Sequence, residues 1–243
     1  MRDADRSEPV VHAESPGRVS LFSDIEITEC GLVFEEQAWQ SGFKFVAGLD
    51  EVGRGCLAGP VIAGACILDP TKDLPKGLND SKQVTVKQRD EIALELKENC
   101  IAFAIGTVSA DEIDRINILE ATKLAMRLAI ESLLPNADFL LIDALVLKGV
   151  PLPQRSIIKG DSISASIAAA SILAKTYRDE LMQSYEKEFP AYGFGENVGY
   201  GTKRHLDALR SNGPCPLHRK TFRGVLPEPE SSLGMGDETA LIL

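Results

Sequence analysis

The chain has 243 residues, 44% of them hydrophobic, and a formal net charge of −10, which suits one large domain whose core needs no disulfide or metal staple. No apolar run approaches the roughly 18 residues of a membrane span, and the opening MRDADRSEPVVHAESPGR has no signal-peptide core, so a cytoplasmic chain without membrane contact is expected. Five scattered cysteines with no C-x-x-C read as reduced thiols, and with only three scattered histidines a structural zinc site is excluded.

The acidity argues against a nucleic-acid partner, but it is unevenly spread. Residues 225–243 hold Glu228, Glu230, Asp237 and Glu238 with no basic partner. Residues 196–224 hold Lys203, Arg204, Arg210, Arg219, Lys220 and Arg223 against Glu196 and Asp207, a local charge of +4. Such a face can bind phosphates on an acidic protein; a merely solvated helix surface is the competing reading.

Residues 1–20 and 227–243 are polar, aperiodic and rich in Pro, Ser and Glu, which predicts mobile ends around a domain spanning 21–226. Within it, 44–49 reads as a strand, and PVIAGACIL (60–68) as a second one, too short and β-rich for a helix. Thr85-x-x-Gln88 is a capping box that opens the helix VKQRDEIALELKEN. A strand over 101–109 follows, then a helical stretch capped by Ser109 and continuing to Pro135. DFLLIDAL (138–145) and RSIIKGD (155–161) read as strands, each with an aspartate at or near its end. The stretch 164–189 is a long helix, apolar and small at its start, as tight packing on a sheet requires. Thr202 caps a shorter basic helix that ends at Asn212-Gly213. Strands alternating with crossing helices predict an α/β sandwich.

Three predicted strand ends thus carry carboxylates: Asp50-Glu51, Asp143 and Asp161. Ligand sites in α/β sheets gather at strand ends, and four carboxylates sharing one hollow cannot all stay ionised without a counter-charge. Oxygen donors without histidine or cysteine select Mg²⁺ or Mn²⁺, and two such ions about 4 Å apart serve phosphoryl displacement. For any single aspartate, a turn or cap role is the competing reading. Beside them, GLDEVGRGCLAGPV (48–61) holds Gly53, Gly55 and Gly59 around Arg54. It fails as a dinucleotide fingerprint, since Pro60 and a β-rich run stand where a helix is required. It fits a backbone cradle against a sugar–phosphate, where a 2′-hydroxyl could be read; an ordinary glycine turn, with Arg54 incidental, is the alternative.

The motifs GLDEVGRGCLAGPV, LNDSKQ, IKGD, SIAAASILAKTYRDELM, YGFGENVGYGTKRHLDAL and GPCPLHRKTF, in this order over about residues 44–225, resemble bacterial ribonuclease HII, the type 2 ribonuclease H. The resemblance implies a ribonuclease H-like mixed sheet flanked by helices, with a C-terminal helical extension over about 195–226. It implies a monomeric, metal-dependent endonuclease acting on the RNA of RNA–DNA hybrids and on single ribonucleotides in duplex DNA. The cut would fall 5′ of the ribonucleotide and leave a 3′-hydroxyl and a 5′-phosphate, which places the enzyme in ribonucleotide removal during replication and repair. Carried over by residue, Asp50, Glu51, Asp143 and Asp161 match the family's metal ligands and Gly53-Arg54-Gly55 its 2′-hydroxyl reader. Tyr200 matches the tyrosine that stacks on the following deoxyribose, and Lys82 resembles a phosphate contact. Two positions depart from the family's pattern: Asn197-Val198 replaces a polar residue and a lysine, and Ala144 replaces the glycine common after the aspartate. The related type 3 enzymes carry an N-terminal substrate-binding domain, for which the residues before the first strand are too few. A silent nucleic-acid-binding module has no use for intact carboxylates, and a small-molecule phosphatase none for Tyr200.

Overall fold

The computed structural model describes residues 29–79, 81 and 84–226; the two ends expected to be mobile, 1–20 and 227–243, lie outside these residues. A five-stranded sheet is built from β1 (Val46–Val52), β2 (Val61–Ile67), β3 (Ala102–Val108), β4 (Phe139–Asp143) and β5 (Gln154–Ile157), in the order β3-β2-β1-β4-β5. β1 to β3 form an antiparallel meander, while β4 and β5 run parallel to β1. The helices are α1 (Val33–Gln40), α2 (Val86–Asn99), α3 (Ala110–Ile116), α4 (Ile118–Glu131), α5 (Ala165–Glu188), α6 (Phe194–Asn197) and α7 (Lys203–Asn212). The predicted mixed α/β sandwich is the observed fold.

Strand alternation sorts the two faces. Ala47 and Leu49, with Val61, Ala63 and Ala65, pack on Ala121, Ala125 and Met126 of α4. The residues between them face α5, whose first half, Ala165 to Ala174, is buried throughout. Small residues there let the helix backbone approach the strands closely. A Cβ added to Gly48 would stand 2.0 Å from the Ser166 carbonyl carbon, and one added to Gly64 would stand 2.3 Å from the Ala170 carbonyl oxygen. The helix α1, which the sequence patterning does not announce, buries Glu35 under the start of α5. Its Oε1 accepts from Ser166 N at 2.8 Å and from the hydroxyls of Ser164 and Ser166, both at 2.6 Å, an acceptor set at the N-terminus of α5.

Two expectations are corrected. The single helical stretch from Ser109 to Pro135 is two helices, because Asn117 takes φ 67 and caps the second one, its Oδ1 accepting from Leu119 N at 3.0 Å and Glu120 N at 3.1 Å. Asp161 does not end a strand. β5 stops at Ile157, Lys159 turns left-handed at φ 56, and Asp161 falls in a single 3-10 turn, Gly160–Ser162. The Thr85 capping box and the Ser109 and Thr202 caps form as the sequence predicts, and the five cysteines are free.

Candidate active site

Parallel strands end at the same edge of a sheet, which sets the position of the acidic residues. The β1–β4 register pairs Leu49 with Ile142, so Asp50 and Asp143 follow side by side. Together with Glu51 they line a cavity of about 250 Å³, whose wall also includes Gly53, Arg54, Gly55 and Tyr200. Asp50 is buried, and its Oδ1 accepts from the Glu51 amide at 2.8 Å. Burial, then the Glu51 and Asp143 carboxylates, push Asp50 up to about 8 against the pull of a hydrogen bond from Ser171. Burial also raises Glu51, opposed by Arg54, whose Nη1 donates to Glu51 Oε1 at 2.9 Å. Glu51 Oε2 is buried with no hydrogen-bond partner.

These features fit a hard cation: oxygen donors only, one carboxylate oxygen without a partner, and a second carboxylate held toward its protonated form by burial and its acidic neighbours. Among the described residues, no group of three or more acidic, histidine or cysteine side chains is close enough to form a ready-made cage. Arg54 supplies the positive charge that Glu51 faces here. Asp161 is buried one residue beyond Gly160, whose amide donates to Asp143 Oδ1 at 2.8 Å. It is therefore next to this cluster but does not line the cavity. Lys82 lies outside the described residues. Its neighbour Ser81 lines the wall, with its Oγ 3.0 Å from that of Ser171.

The glycine loop is held from beneath by two arginines that the sequence reading passed over. Arg178 and Arg219 are fully buried. Arg178 donates to the carbonyls of Pro60 at 3.2 Å, Ala58 at 3.1 Å and Val198 at 2.7 Å. Arg219 donates to those of Gly53 at 2.7 Å, Arg54 at 2.9 Å and Gly59 at 2.9 Å. The Leu57 amide adds a bond to the Gly199 carbonyl at 2.8 Å. The loop at 53–60 and the turn that carries Tyr200 are thus one hydrogen-bonded unit. Gly53 needs to be glycine here, since it takes φ 89 and an added Cβ would stand 2.3 Å from Arg178 Nε. Tyr200 lines the same cavity and is 43% exposed.

Ser171, Lys175 and Arg178 share one face of α5 at i, i+4 and i+7, a spacing that helical periodicity could have singled out. Lys175 lines the cavity and is held by Asp179 at 2.6 Å, which in turn accepts from Arg89 at 2.7 Å. Arg219 carried no such signal, because it sits among basic residues that read as surface. The basic face at 196–224 is accordingly weaker than its charge count. Arg219 is inside, Arg204 pairs with Glu196, and Arg210 pairs with Asp207 at 2.8 Å.

Both departures from the family pattern lie at positive φ, Ala144 at 47 and Val198 at 42, where side chains other than glycine are disfavoured. Asn197 has a structural task beside them, donating to the Tyr192 carbonyl at 2.7 Å and accepting from the Gly199 amide at 2.8 Å.

A family model described as Ribonuclease HII matches residues 47–225. The ribonuclease HII of Desulfitobacterium hafniense is 52% identical over 202 residues, covering 83% of this chain and 77% of its own. That of Chlamydia caviae is 55% identical over 194 residues, covering 79% and 91%. Among solved structures, the ribonuclease H2 of Pyrococcus horikoshii OT3 is similar with a TM-score of 0.63 at 26% identity, covering 75% of this chain and 95% of that one.

Proposed function

This chain belongs to the ribonuclease HII family of endonucleases, and on that premise we propose that it cleaves the RNA strand of RNA–DNA hybrids and single ribonucleotides embedded in duplex DNA. One observation carries the proposal: Asp50, Glu51 and Asp143 share a cavity with the Gly53–Gly55 backbone and the ring of Tyr200. Acidic strand ends supply the chemistry, and the two neighbouring features supply the choice of sugar.

In this reading Asp50, Glu51, Asp143 and Asp161 would hold two Mg²⁺ or Mn²⁺ ions. When bound, these supply Lewis acidity and neutralise charge at the scissile phosphate. The Gly53-Arg54-Gly55 backbone, bare of side chains at its glycines, lets a ribose approach and reads its 2′-hydroxyl as both donor and acceptor. Tyr200 packs its ring on the next sugar, which excludes water and favours a deoxyribose at that position. Lys175, on the cavity wall, supplies a cation for the substrate backbone, a role proposed for Lys82 as well. The products are a 3′-hydroxyl and a 5′-phosphate, as ribonucleotide removal during replication and repair requires. A cytoplasmic monomer, with residues 21–226 as the catalytic domain, completes the proposal.

Duplex DNA carrying one ribonucleotide, incubated with the protein and Mg²⁺ or Mn²⁺, tests it directly. A single cut on the 5′ side of the ribonucleotide is expected. Cleavage only within long RNA tracts would remove the sugar-reading roles of Gly53–Gly55 and Tyr200.

A further inference from the structure

Two histidines that the proposed reaction does not use stand directly behind Tyr200. His205, on the first turn of α7, and His218, in the loop that follows it, are both fully buried. Their Nε2 atoms face each other at 2.9 Å. A neutral imidazole has one donor and one acceptor nitrogen, so the outer partners fix both tautomers. His205 Nδ1 stands 2.8 Å from the Tyr200 carbonyl oxygen, which can only accept, and the His205 proton is therefore on Nδ1. Its Nε2 is then an acceptor, and the facing Nε2 of His218 must donate. That leaves His218 Nδ1 to accept, and the Cys215 amide donates to it at 3.0 Å. The opposite assignment would have His218 Nδ1 donate to the Cys215 carbonyl at 3.3 Å. It would also set two lone pairs against each other at the centre and leave the Cys215 amide facing another N–H.

We propose that His205 and His218 are positioning residues for Tyr200, forming a neutral relay of fixed tautomers from the Cys215 amide to the Tyr200 carbonyl that holds the peptide bearing the sugar-stacking ring. The inference deepens the proposed function and rests on the role given there to Tyr200. Its physical basis is that the turn needs an external brace. Val198 and Gly199, just before Tyr200, both take positive φ, at 42 and 86. While Arg178 and the Leu57 amide bind their carbonyls, the relay reaches the Tyr200 carbonyl itself from α7, beside the local bond from Thr202 N at 2.8 Å. The rings of Tyr192 and Phe194 close over the pair, at 4.7 Å from His218 and 5.5 Å from His205, so water cannot take over the missing bonds. Burial, followed for His218 by the neighbouring ring, lowers both histidines below their ordinary range, in keeping with a neutral pair.

Nitrogen-15 NMR of the full chain at neutral pH reads the tautomers without any assay of activity. His205 protonated at Nδ1 and His218 at Nε2 are expected; a charged ring or the reverse assignment overturns the relay. Cleavage is then compared at an isolated ribonucleotide and in an all-RNA hybrid. His205→Leu, which removes the donor to Tyr200, should lose about tenfold more on the isolated ribonucleotide than on the hybrid, as coupled neighbours do. His205→Asn, whose side-chain amide can still donate to the Tyr200 carbonyl, should recover most of that loss. In a Tyr200→Ala background, His205→Leu should cost nothing further on the isolated ribonucleotide. If His205→Leu does not fold, His218→Leu carries the same comparison from the other end of the relay. Tyr200→Ala acting equally on both substrates overturns the role of Tyr200, and the positioning role falls with it. A selective Tyr200→Ala beside an unselective His205→Leu overturns the relay alone.

Discussion

At Gly55 an added Cβ meets nothing within 4 Å, and no positive φ forbids a side chain. Nothing in the fold therefore requires this glycine, whereas Gly53 is required by both its φ of 89 and Arg178. Gly55→Ala should leave the melting temperature unchanged yet cut cleavage at an isolated ribonucleotide by at least about tenfold, because the methyl occupies the space the ribose needs. Unchanged cleavage would make the loop an ordinary turn. Asp50→Asn is expected to abolish cleavage in Mg²⁺ while raising the metal-free melting temperature at neutral pH, since it removes a carboxyl that burial and then its acidic neighbours keep from ionising in the fold; turnover like that of the natural protein would remove Asp50 from the metal site. A smaller effect is expected at Ala144, which is exposed and sits at φ 47. Ala144→Gly relieves left-handed strain worth roughly 1–2 kcal/mol against a glycine entropy cost of roughly 0.5–1 kcal/mol. A net gain of about 0.5 kcal/mol in chemical denaturation follows. Asp50, Glu51 and Asp143 were singled out in the sequence by residue type at predicted strand ends, and Tyr200 only through the family resemblance. Arg178 and Arg219 were not, because a buried arginine serving backbone carbonyls has the same letter as a solvated one, and only the fold distinguishes them.

The elements follow the same division. The capped helices and the apolar strands were legible, since caps and periodicity are local. The break at Asn117 was not, because asparagine in a left-handed conformation serves as stop and cap at once, inside a run whose apolar spacing continues through it. Asp161 was misplaced for a similar reason: the run RSIIKGD reads as extended, but Lys159 turns the chain and Gly160 is drawn to Asp143. Helix α5 packs its small first half against β1 and β2. Its approach leaves no room at Gly64, where a Cβ would stand 2.3 Å from the Ala170 carbonyl oxygen, in backbone that cannot swing aside. Gly64→Ala should therefore destabilise by more than about 3 kcal/mol, beyond the ordinary range for one methyl. Because α5 also carries Ser171, Lys175 and Arg178, residual activity should fall with stability. A Gly64→Ala protein unfolding at the same denaturant concentration as its parent would contradict this packing.

Across the whole molecule, two titrations of opposite sign meet. Arg178 and Arg219 fasten the C-terminal helices to the glycine loop at the end of β1, so the sheet and the extension are expected to unfold in one transition. On the carboxylate side, Asp50 lies at about 8 in the folded protein, well above an ordinary aspartate near about 4. A raised carboxylate favours folding fully below its unfolded value, and that contribution is lost as pH rises through the folded one. Glu51 and Glu35 are raised by burial and act in the same direction. On the histidine side, burial and His205 hold His218 down at about 4, against about 6.5 unfolded. A lowered histidine contributes stability above its unfolded value that is lost as pH falls through the folded one, and His205 is lowered too. Without metal, the Asp50 contribution is lost between about pH 4 and about pH 8 while that of His218 is gained between about pH 4 and about pH 6.5, so the two oppose each other up to about pH 6.5 and stability declines above it. A saturating divalent cation pairs the ionised carboxylates, so it should abolish the alkaline decline and expose the histidine-linked loss as pH falls from about 6.5 to about 4. Thermal unfolding in chelator and in Mg²⁺, from about pH 4 to about pH 9, separates the two limbs. Asp50→Asn should flatten the alkaline limb alone, and a chelated protein whose stability climbs steadily toward the alkaline end would show that its carboxylates are not crowded.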